Sequence, residues 1–411
     1  MNIVSLLTSV NAPADLWSNL INWLQGSVGN IGWAILILTL LVKLVTSPLD
    51  FMVKYSTKKQ TLVQQKCAPQ IAKLQKKFGS DQQTLRIQTN ALYKREGMSM
   101  GMSCIVMLVN MILTCTIFFT FYGSLRTISA YQAINQYEVT FEAYQTTFNN
   151  YIVEQNPDGE ADFTLEDAQK LSDDFDKAFA FISNLENNTT EPTRFAEDTA
   201  FVAKYREVME DAADVAKPEA LKVWNENKSS WLWVQNIWVA DAPQMPFPTY
   251  ADLQSNATNA GDYYKNYVNE NIDESKYNAI ANFINSNSHQ QNGYYILAIL
   301  AGVITYLSTY ISELHNKLRN KKANTLASAA NQNAGSMKMM KIIMPVIMIM
   351  FVLSSSASFG IYLLASNLAS IALGEIISLL VNKFTKKKRL EVEEFLEKEA
   401  DRLIRKGKLQ G

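Results

Sequence analysis

Histidine and cysteine are scarce in these 411 residues, and their scarcity removes most active-site chemistry from consideration. Two histidines, His289 and His315, give a zinc site or a Ser/His/Asp triad little to draw on. The three cysteines, Cys67, Cys104 and Cys115, form an odd, scattered set with neither a disulfide framework nor metal-ligand spacing. No Gly-rich phosphate loop and no GxSxG elbow occurs. An enzyme is therefore not expected, and no catalytic residue, metal or cofactor is assigned. The length would suit two or three soluble domains. The formal net charge is -1, but averages hide a strong separation, because long apolar runs alternate with very polar stretches.

Those runs are the main feature. A run of ~18 or more apolar residues crosses the hydrocarbon core as a helix. Five are expected to do so: residues 31–53, 101–123, 293–312, 339–353 and 359–382. The expected fold class is an all-α integral membrane protein, a five-helix transmembrane bundle. Ahead of it, in the lead-in 1–30, residues 14–26 place Trp17, Leu20, Ile21 and Leu24 on one helical face, with Asp15, Ser18, Asn19 and Asn22 elsewhere. That pattern suits either an interfacial amphipathic helix or a plain lead-in to the first span. No basic n-region or cleavage site marks a typical signal peptide. The fourth run contains Pro345, and Ser354-Ser355-Ser356 form a tight turn before the fifth.

Charge orients the runs. Residues 54–100 hold ten Lys/Arg and two acids, 313–341 six against one, and 383–411 ten against six. Residues 124–292 hold eleven Lys/Arg and twenty-seven Asp/Glu, a net of -16. Basic loops stay in the cytoplasm. The N-terminus and the acidic segment 124–292 are therefore expected outside, and residues 54–100, the loop 313–338 and the basic tail 383–411 inside. Within 54–100, Leu62, Ile71, Leu74 and Phe78 recur at helical spacing. Gly79-Ser80-Asp81 breaks the run, and Asp81 can cap a second helix over 81–96 that carries Leu85, Leu92 and Tyr93. The segment reads as a cytoplasmic helical hairpin. In the large extracellular insertion, helices are expected over 127–153 and 195–215, and Trp224, Trp231, Trp233 and Trp238 cluster near its middle.

Several stretches resemble the YidC and oxidase-assembly insertase family. The first span and hairpin, AILILTLLVKLVTSPLDFMVKYSTKKQ and APQIAKLQKKFGSDQQTLRIQTNALYKREG, match a pattern of one basic residue in the first core helix, a Pro-started amphipathic helix at Pro69, a Gly-Asp break and an ALYK element at 91–94. GMSCIVMLVNMILTCTIFF resembles the second core helix, WLWVQNIWVADAP an aromatic element of the outside loop, YYILAILAGV the third span, and MKMMKIIMPVIMIMF and YLLASNLASI the last two. The resemblance covers roughly residues 14–126, 230–243 and 293–389. The family usually has arginine where Lys43 stands, proline at Val106 and Ile112, glutamine at Asn110, and Pro-x-Gly where Ser356-Ala357-Ser358 stand. Two insertions, about 127–229 and 244–292, enlarge the outside loop.

Lys43 carries the functional reading. A charge inside a span costs several kcal/mol unless it meets water or a partner. It lies about seven residues from Asp50, ~10 Å along the helix, so it can also snorkel to the surface. With Thr39 one turn earlier, and Asn110, Thr309, Ser366 and Asn367 on other spans, it could line a wet groove for the polar or acidic segments of a substrate. The alternative for the neutral residues is interhelical hydrogen bonding. The resemblance implies nascent membrane proteins as substrates, and Pro69, Gly79, Asp81, Leu92 and Tyr93 belong to the hairpin that would catch them. Lys386, Lys387, Lys388 and Arg389, with Arg405, Lys406 and Lys408, suit ribosomal RNA or anionic lipid; a stop-transfer anchor explains the first cluster as well. The Sec translocon is a further expected partner. A secondary transporter or channel is the rival, but the spans show no internal repeat. An anchored surface protein would need neither the charge in the span nor the patterned hairpin.

Overall fold

A computed structural model of the chain describes residues 10–98, 100–154, 175, 176, 179, 199–288, 290–319 and 334–405. Among the described residues the regular elements are helices: α1 (Leu16–Val28), α2 (Ile31–Phe78), α3 (Gln82–Arg95), α4 (Met100–Glu154), α5 (Thr199–Asn227), α6 (Tyr250–Ala260), α7 (Asp262–Asn271), α8 (Glu274–Asn287), α9 (Ile296–Arg319), α10 (Ala334–Leu353) and α11 (Ala357–Arg405). The protein is an all-α integral membrane protein. Helices α2, α4 and α11 are long and apolar enough to cross a membrane, and shorter apolar stretches lie at Ile296–Ile311 and Ile342–Leu353. The helices do not stop where the apolar runs do. α2 joins the first run to the first hairpin arm, α4 carries the second run on to Glu154, and α11 extends through the tail to Arg405.

The start of a helix expected at Pro69 is accordingly corrected: Pro48 and Pro69 both lie inside α2. Proline removes the hydrogen bond to the carbonyl four residues back. At Pro48 that carbonyl belongs to Leu44, and the Ser47 hydroxyl donates to it at 2.8 Å. A neighbouring side chain thus re-satisfies the freed backbone, and the helix continues.

The chain divides into two compact units. The first comprises Met1–Ile35, Phe121–Leu297 and Val352–Gly360. Its core draws Ala130, Ala133, Ile134, Tyr137, Tyr144, Phe148 and Ile152 from α4, at helical spacing on one face. Met209, Ala212, Ala213, Ala216, Ala220 and Trp224 of α5 join that core, each at most 1% exposed. The four alanines among them are small enough to let neighbouring elements approach closely. α1 begins on Asp15, whose carboxylate accepts from the Trp17 and Ser18 amides at 3.0 and 3.2 Å, and ends on Gly29 at φ 78, a left-handed cap that glycine adopts without strain. Ser18, expected off the packed face, is buried. Its hydroxyl donates to Asp15, which makes burial affordable.

Between α5 and α6 the tryptophan-bearing segment forms no helix, so its polar groups need other partners. Asn236 donates to Gln136 at 3.0 Å and to the Pro246 carbonyl at 3.1 Å. Asn292 accepts from the Asn236 amide at 2.7 Å and donates to the Ala240 carbonyl at 2.8 Å. The same segment holds three helix starts. Asn30, just before α2, donates to the Ser230 carbonyl at 2.9 Å. Asp241 caps α9, accepting from the Leu297 amide at 2.6 Å. The Ala357 and Ser358 amides of α11 donate to the carbonyls of Val239 and Ile237 at 2.9 and 2.8 Å. Gly32 makes the fit possible, since a Cβ there would stand 2.4 Å from the Trp231 ring.

The second unit comprises Leu36–Thr120, Ala298–Phe351 and Ile361–Gly411. Gly302 of α9 lets α10 close in: a Cβ there would stand 2.6 Å from Ile349. The hairpin breaks after Phe78, and Asp81 caps α3 by accepting from the Thr84 amide at 3.0 Å and its hydroxyl at 2.6 Å. Those bonds hold the Asp81 carboxyl below its ordinary range. Val63, Cys67, Leu92 and Met98 form the hairpin core, with Ile71, Leu74 and Tyr93 packed against it.

Candidate functional site

The six groove candidates all lie in the second unit, and Asn110 and Asn367 each bond across to a residue outside the six. On α2, Thr39 is 2% exposed, and Lys43, one turn later, is half-buried. Among the described residues no carboxylate lies within ion-pair distance of Lys43, and no hydrogen bond joins its ammonium to the other five. The first cross-helix pair is Asn110 of α4, whose amide donates to Asp50 of α2 at 3.4 Å. The second is Asn367 of α11, which donates to the Thr305 hydroxyl of α9 at 3.2 Å. The Thr309 hydroxyl turns back to the Tyr306 carbonyl at 2.7 Å, and the Ser366 carbonyl accepts from the Ser370 hydroxyl at 2.7 Å.

Two members of this set were not among the sequence candidates. Asp50 lies near the end of the first apolar run and is the partner of Asn110. Thr305 is the partner of Asn367 and lies one turn before Thr309. The apolar run with its single ProLeuAsp end hinted at Asp50, since a carboxylate at a span end needs a donor; nothing in the run around Thr305 set it apart. Polar groups that bond across helices in an apolar setting are favoured over unsatisfied ones. A cation with no paired carboxylate attracts an anionic group arriving by the same route.

The hairpin and tail come together in this unit. Phe51 and Phe384 meet edge to face at 5.9 Å between centroids, and the Lys54 ammonium donates to the Gly374 carbonyl at 2.9 Å. Further along, Lys66 pairs with Glu96 at 2.6 Å and lies 5.8 Å from the Phe395 ring centroid. Lys73 pairs with Glu399, also at 2.6 Å. Gly79, Pro69 and Asp81 shape the hairpin, while Leu92 is buried and Tyr93 half-buried. Burial first, then the Glu96 carboxylate, pushes the Cys67 thiol up.

Of the tail cations, Lys386, Lys387 and Arg405 are exposed, Lys388 and Arg389 are half-buried, and Lys406 and Lys408 lie outside the described residues. Burial, followed by the neighbouring ammonium groups of Lys59 and Lys66, holds Lys388 below the ordinary lysine range. An anion docking beside these three lysines would relieve their mutual repulsion. The tail is otherwise knitted by its own acids, with Lys398 on Glu394 at 2.7 Å and Arg389 3.7 Å from Glu393.

The sequence profile described as 60Kd inner membrane protein matches residues 23–159 and 201–387, well over half of the chain. Curated relatives carry the name membrane protein insertase YidC. The one from Wolinella succinogenes is 34% identical over 103 residues, 25% of this chain and 18% of its own length. That from Jannaschia sp. is 36% identical over 103 residues, 25% of this chain and 15% of its own. That from Aromatoleum aromaticum is 29% identical over 118 residues, 29% of this chain and 20% of its own. The matched stretch thus spans a fifth or less of these relatives. No solved structure matches the chain.

Proposed function

This chain belongs to the 60Kd inner membrane protein family, that of the YidC-type insertases, and on that footing we propose that it inserts nascent membrane proteins into the bacterial plasma membrane. The proposed topology has five crossings, with the N-terminus outside and the C-terminus cytoplasmic, because every basic loop falls on one side and the acidic segment on the other. No bond is made or broken. A polar or acidic segment enters a wet groove lined by Thr39, Lys43, Asn110, Thr309, Ser366 and Asn367, with Asp50 and Thr305 bonded into it. The substrate's apolar span then leaves sideways into lipid, and its burial there drives the reaction.

The observation that carries this reading is Lys43: a half-buried cation in an apolar helix, with no ion-pair partner among the described residues. Such a cation lowers the desolvation cost of an entering carboxylate. On the cytoplasmic side the hairpin catches the incoming chain. The Lys59, Lys66 and Lys388 cluster, with the exposed Lys386, Lys387 and Arg405, favours ribosomal RNA or anionic lipid by counterion release. The Sec translocon is a further proposed partner.

The experiment is insertion, by the purified protein in proteoliposomes, of matched single-span substrates with acidic or neutral outside tails. A charge pair at ~4 Å is worth about 1 kcal/mol in water and about 4 at an effective dielectric near 20. Lys43→Ala is therefore expected to slow the acidic substrate roughly 5-fold to several hundred-fold, with less effect on the neutral one, and Lys43→Arg to retain activity. Equal loss for both tails, normalised to protein level, would instead assign Lys43 a snorkelling, structural role.

A further inference from the structure

In the first unit, the end of the α4 apolar run, helix α6 and the turn before α11 line a polar cleft that is open to solvent. Arg126 lines it from α4, Asn256 and Asn259 from α6, and Ser354, Ser355 and Ser356 from the turn. Leu125 and Phe359 give it an apolar floor. The guanidinium lies over the Tyr122 ring, 5.5 Å from the centroid, which fixes its place without neutralising it. Among the described residues no carboxylate pairs with Arg126 and none lines the cleft. A guanidinium without a carboxylate partner, in a cleft also lined by a serine turn and two asparagines, with the Ser356 hydroxyl sharing a 2.7 Å hydrogen bond with that of Ser358, is chemistry for an oxyanion with several acceptor oxygens.

Its place in the chain narrows the class. Residues 97–125 hold no charged side chain, so Arg126 is the first charge after the second apolar run. Residues 342–374 hold none either, and the three serines lie in the middle of that stretch, between two apolar helices. The cleft therefore lies where apolar helix ends meet water, in either orientation of the chain. We propose that it binds the phosphate group of an anionic phospholipid from the headgroup layer, with Arg126 as the charge partner and the serine turn and the α6 amides as neutral donors. This assignment is independent of the insertase mechanism, since none of its residues belongs to the Lys43 groove.

The test uses the full-length protein in detergent and reads its thermal unfolding midpoint during titration with phosphatidylglycerol, phosphatidylcholine or inorganic phosphate. Phosphatidylglycerol is expected to stabilise the wild type more than phosphatidylcholine does. Its apparent affinity should fall about tenfold or more in Arg126→Gln, through loss of a charge-assisted bond, and about fivefold in Ser355→Ala, which keeps the charge and guards against a misfolded first variant. Arg126→Lys should keep most of the effect. Arg86→Gln, an exposed hairpin change, should keep all of it. Unchanged phosphatidylglycerol affinity in both Arg126→Gln and Ser355→Ala would overturn the site and leave Arg126 as an ordinary interfacial anchor. Equal stabilisation by inorganic phosphate at the same concentration would overturn the lipid as the source.

Discussion

Helix α4 is one unbroken helix with two different surfaces. From Met100 to Thr120 it carries no charged side chain, and Ile105, Met107, Leu108, Val109, Met111, Ile112 and Phe119 are all exposed. From Phe121 onward its large side chains return at spacings of three, four and seven, and Ile134, Phe148 and Ile152 are fully buried. Only 6% of its most apolar stretch is buried inside the protein, against 33% in α2 and 28% in α11. The same helix thus answers to two solvents. Where water surrounds it, apolar side chains must find one another; where lipid does, they need not, because lipid tails are as apolar as leucine. An exposed apolar face of this extent in water would be a liability for aggregation.

The strongest way to break this contrast is to delete matched side chains. Phe148→Ala is expected to cost about 3–5 kcal/mol, from lost burial plus the cavity left behind. Phe119→Ala, with its ring 67% exposed, should stay within about 0.5 kcal/mol. Denaturant titration of the full-length protein in detergent, followed by tryptophan fluorescence, measures both. Similar costs for the two would mean that the first half is buried against protein after all.

Adding charge sharpens the contrast from the other side. Ile112→Asp, at the middle of the apolar half, should cost about 2.5–3.5 kcal/mol of insertion free energy. Val215→Asp, on the exposed face of α5 at 46% exposure, should fall within about 0.5 kcal/mol. Insertion efficiency by a glycosylation or protease-protection assay separates them. A tolerated Ile112→Asp would place that side chain in water and not in lipid.

Somewhat smaller is the effect expected at the aromatic segment. Asp241 is 3% exposed and accepts from the Tyr294 and Leu297 amides at 2.9 and 2.6 Å. Asp241→Ala removes the α9 cap and strands buried donors, at about 2–3 kcal/mol. Asp241→Asn should cost less, since one acceptor remains. A neutral Asp241→Ala in the same denaturant titration would show that water replaces the carboxylate.

How far these features could be read from the sequence depends on their range along the chain. The Gly79–Asp81 break and the Asp81 cap were legible because a cap is a contact over three residues. So was the α4 extension, from the spacing that put a helix over 127–153. The continuity of α2 was not. Pro48 signals a stop, and only the Ser47 hydroxyl at the Leu44 carbonyl shows why the helix survives it. Ser18 was misplaced for a related reason, since a buried hydroxyl looks polar until its acceptor is known. Of the groove candidates, Thr39 and Lys43 lie one helix turn apart on α2, a relation that spacing alone gives. The partners Asp50 and Thr305 could not be read that way, because a bond spanning sixty residues leaves no local pattern. In the aromatic segment the tryptophans stood out, but not the asparagine network or the three helix starts it holds.

The smallest expected effect is one of pH, and its sign differs between two carboxyls in different settings. Glu138, on the packed half of α4, is pushed up by burial; the Tyr267 hydroxyl and the Val10 amide pull it back without cancelling the rise, and Glu142 adds to it. Folded Glu138 therefore holds its proton more tightly than the unfolded chain, whose value is near 4.5. At neutral pH the folded state bears the cost of a buried charge. As pH falls through the raised value toward 4.5, the folded state takes up the proton first and gains stability. Asp81, fully exposed at the hairpin cap, is held below 3.8 by Thr84, so its contribution is present above 3.8 and is lost as pH falls through the lowered value. Unfolding midpoints of Glu138→Gln and Asp81→Asn, compared with the wild type from pH 8 downward, read the two signs directly. Glu138→Gln should exceed the wild type at neutral pH, with the gap closing on acidification. Asp81→Asn should fall below the wild type at neutral pH, with its gap closing only under stronger acid. A Glu138→Gln profile running parallel to the wild type at every pH would show that the carboxyl is solvated, and that this face of α4 is less tightly closed than its packing indicates.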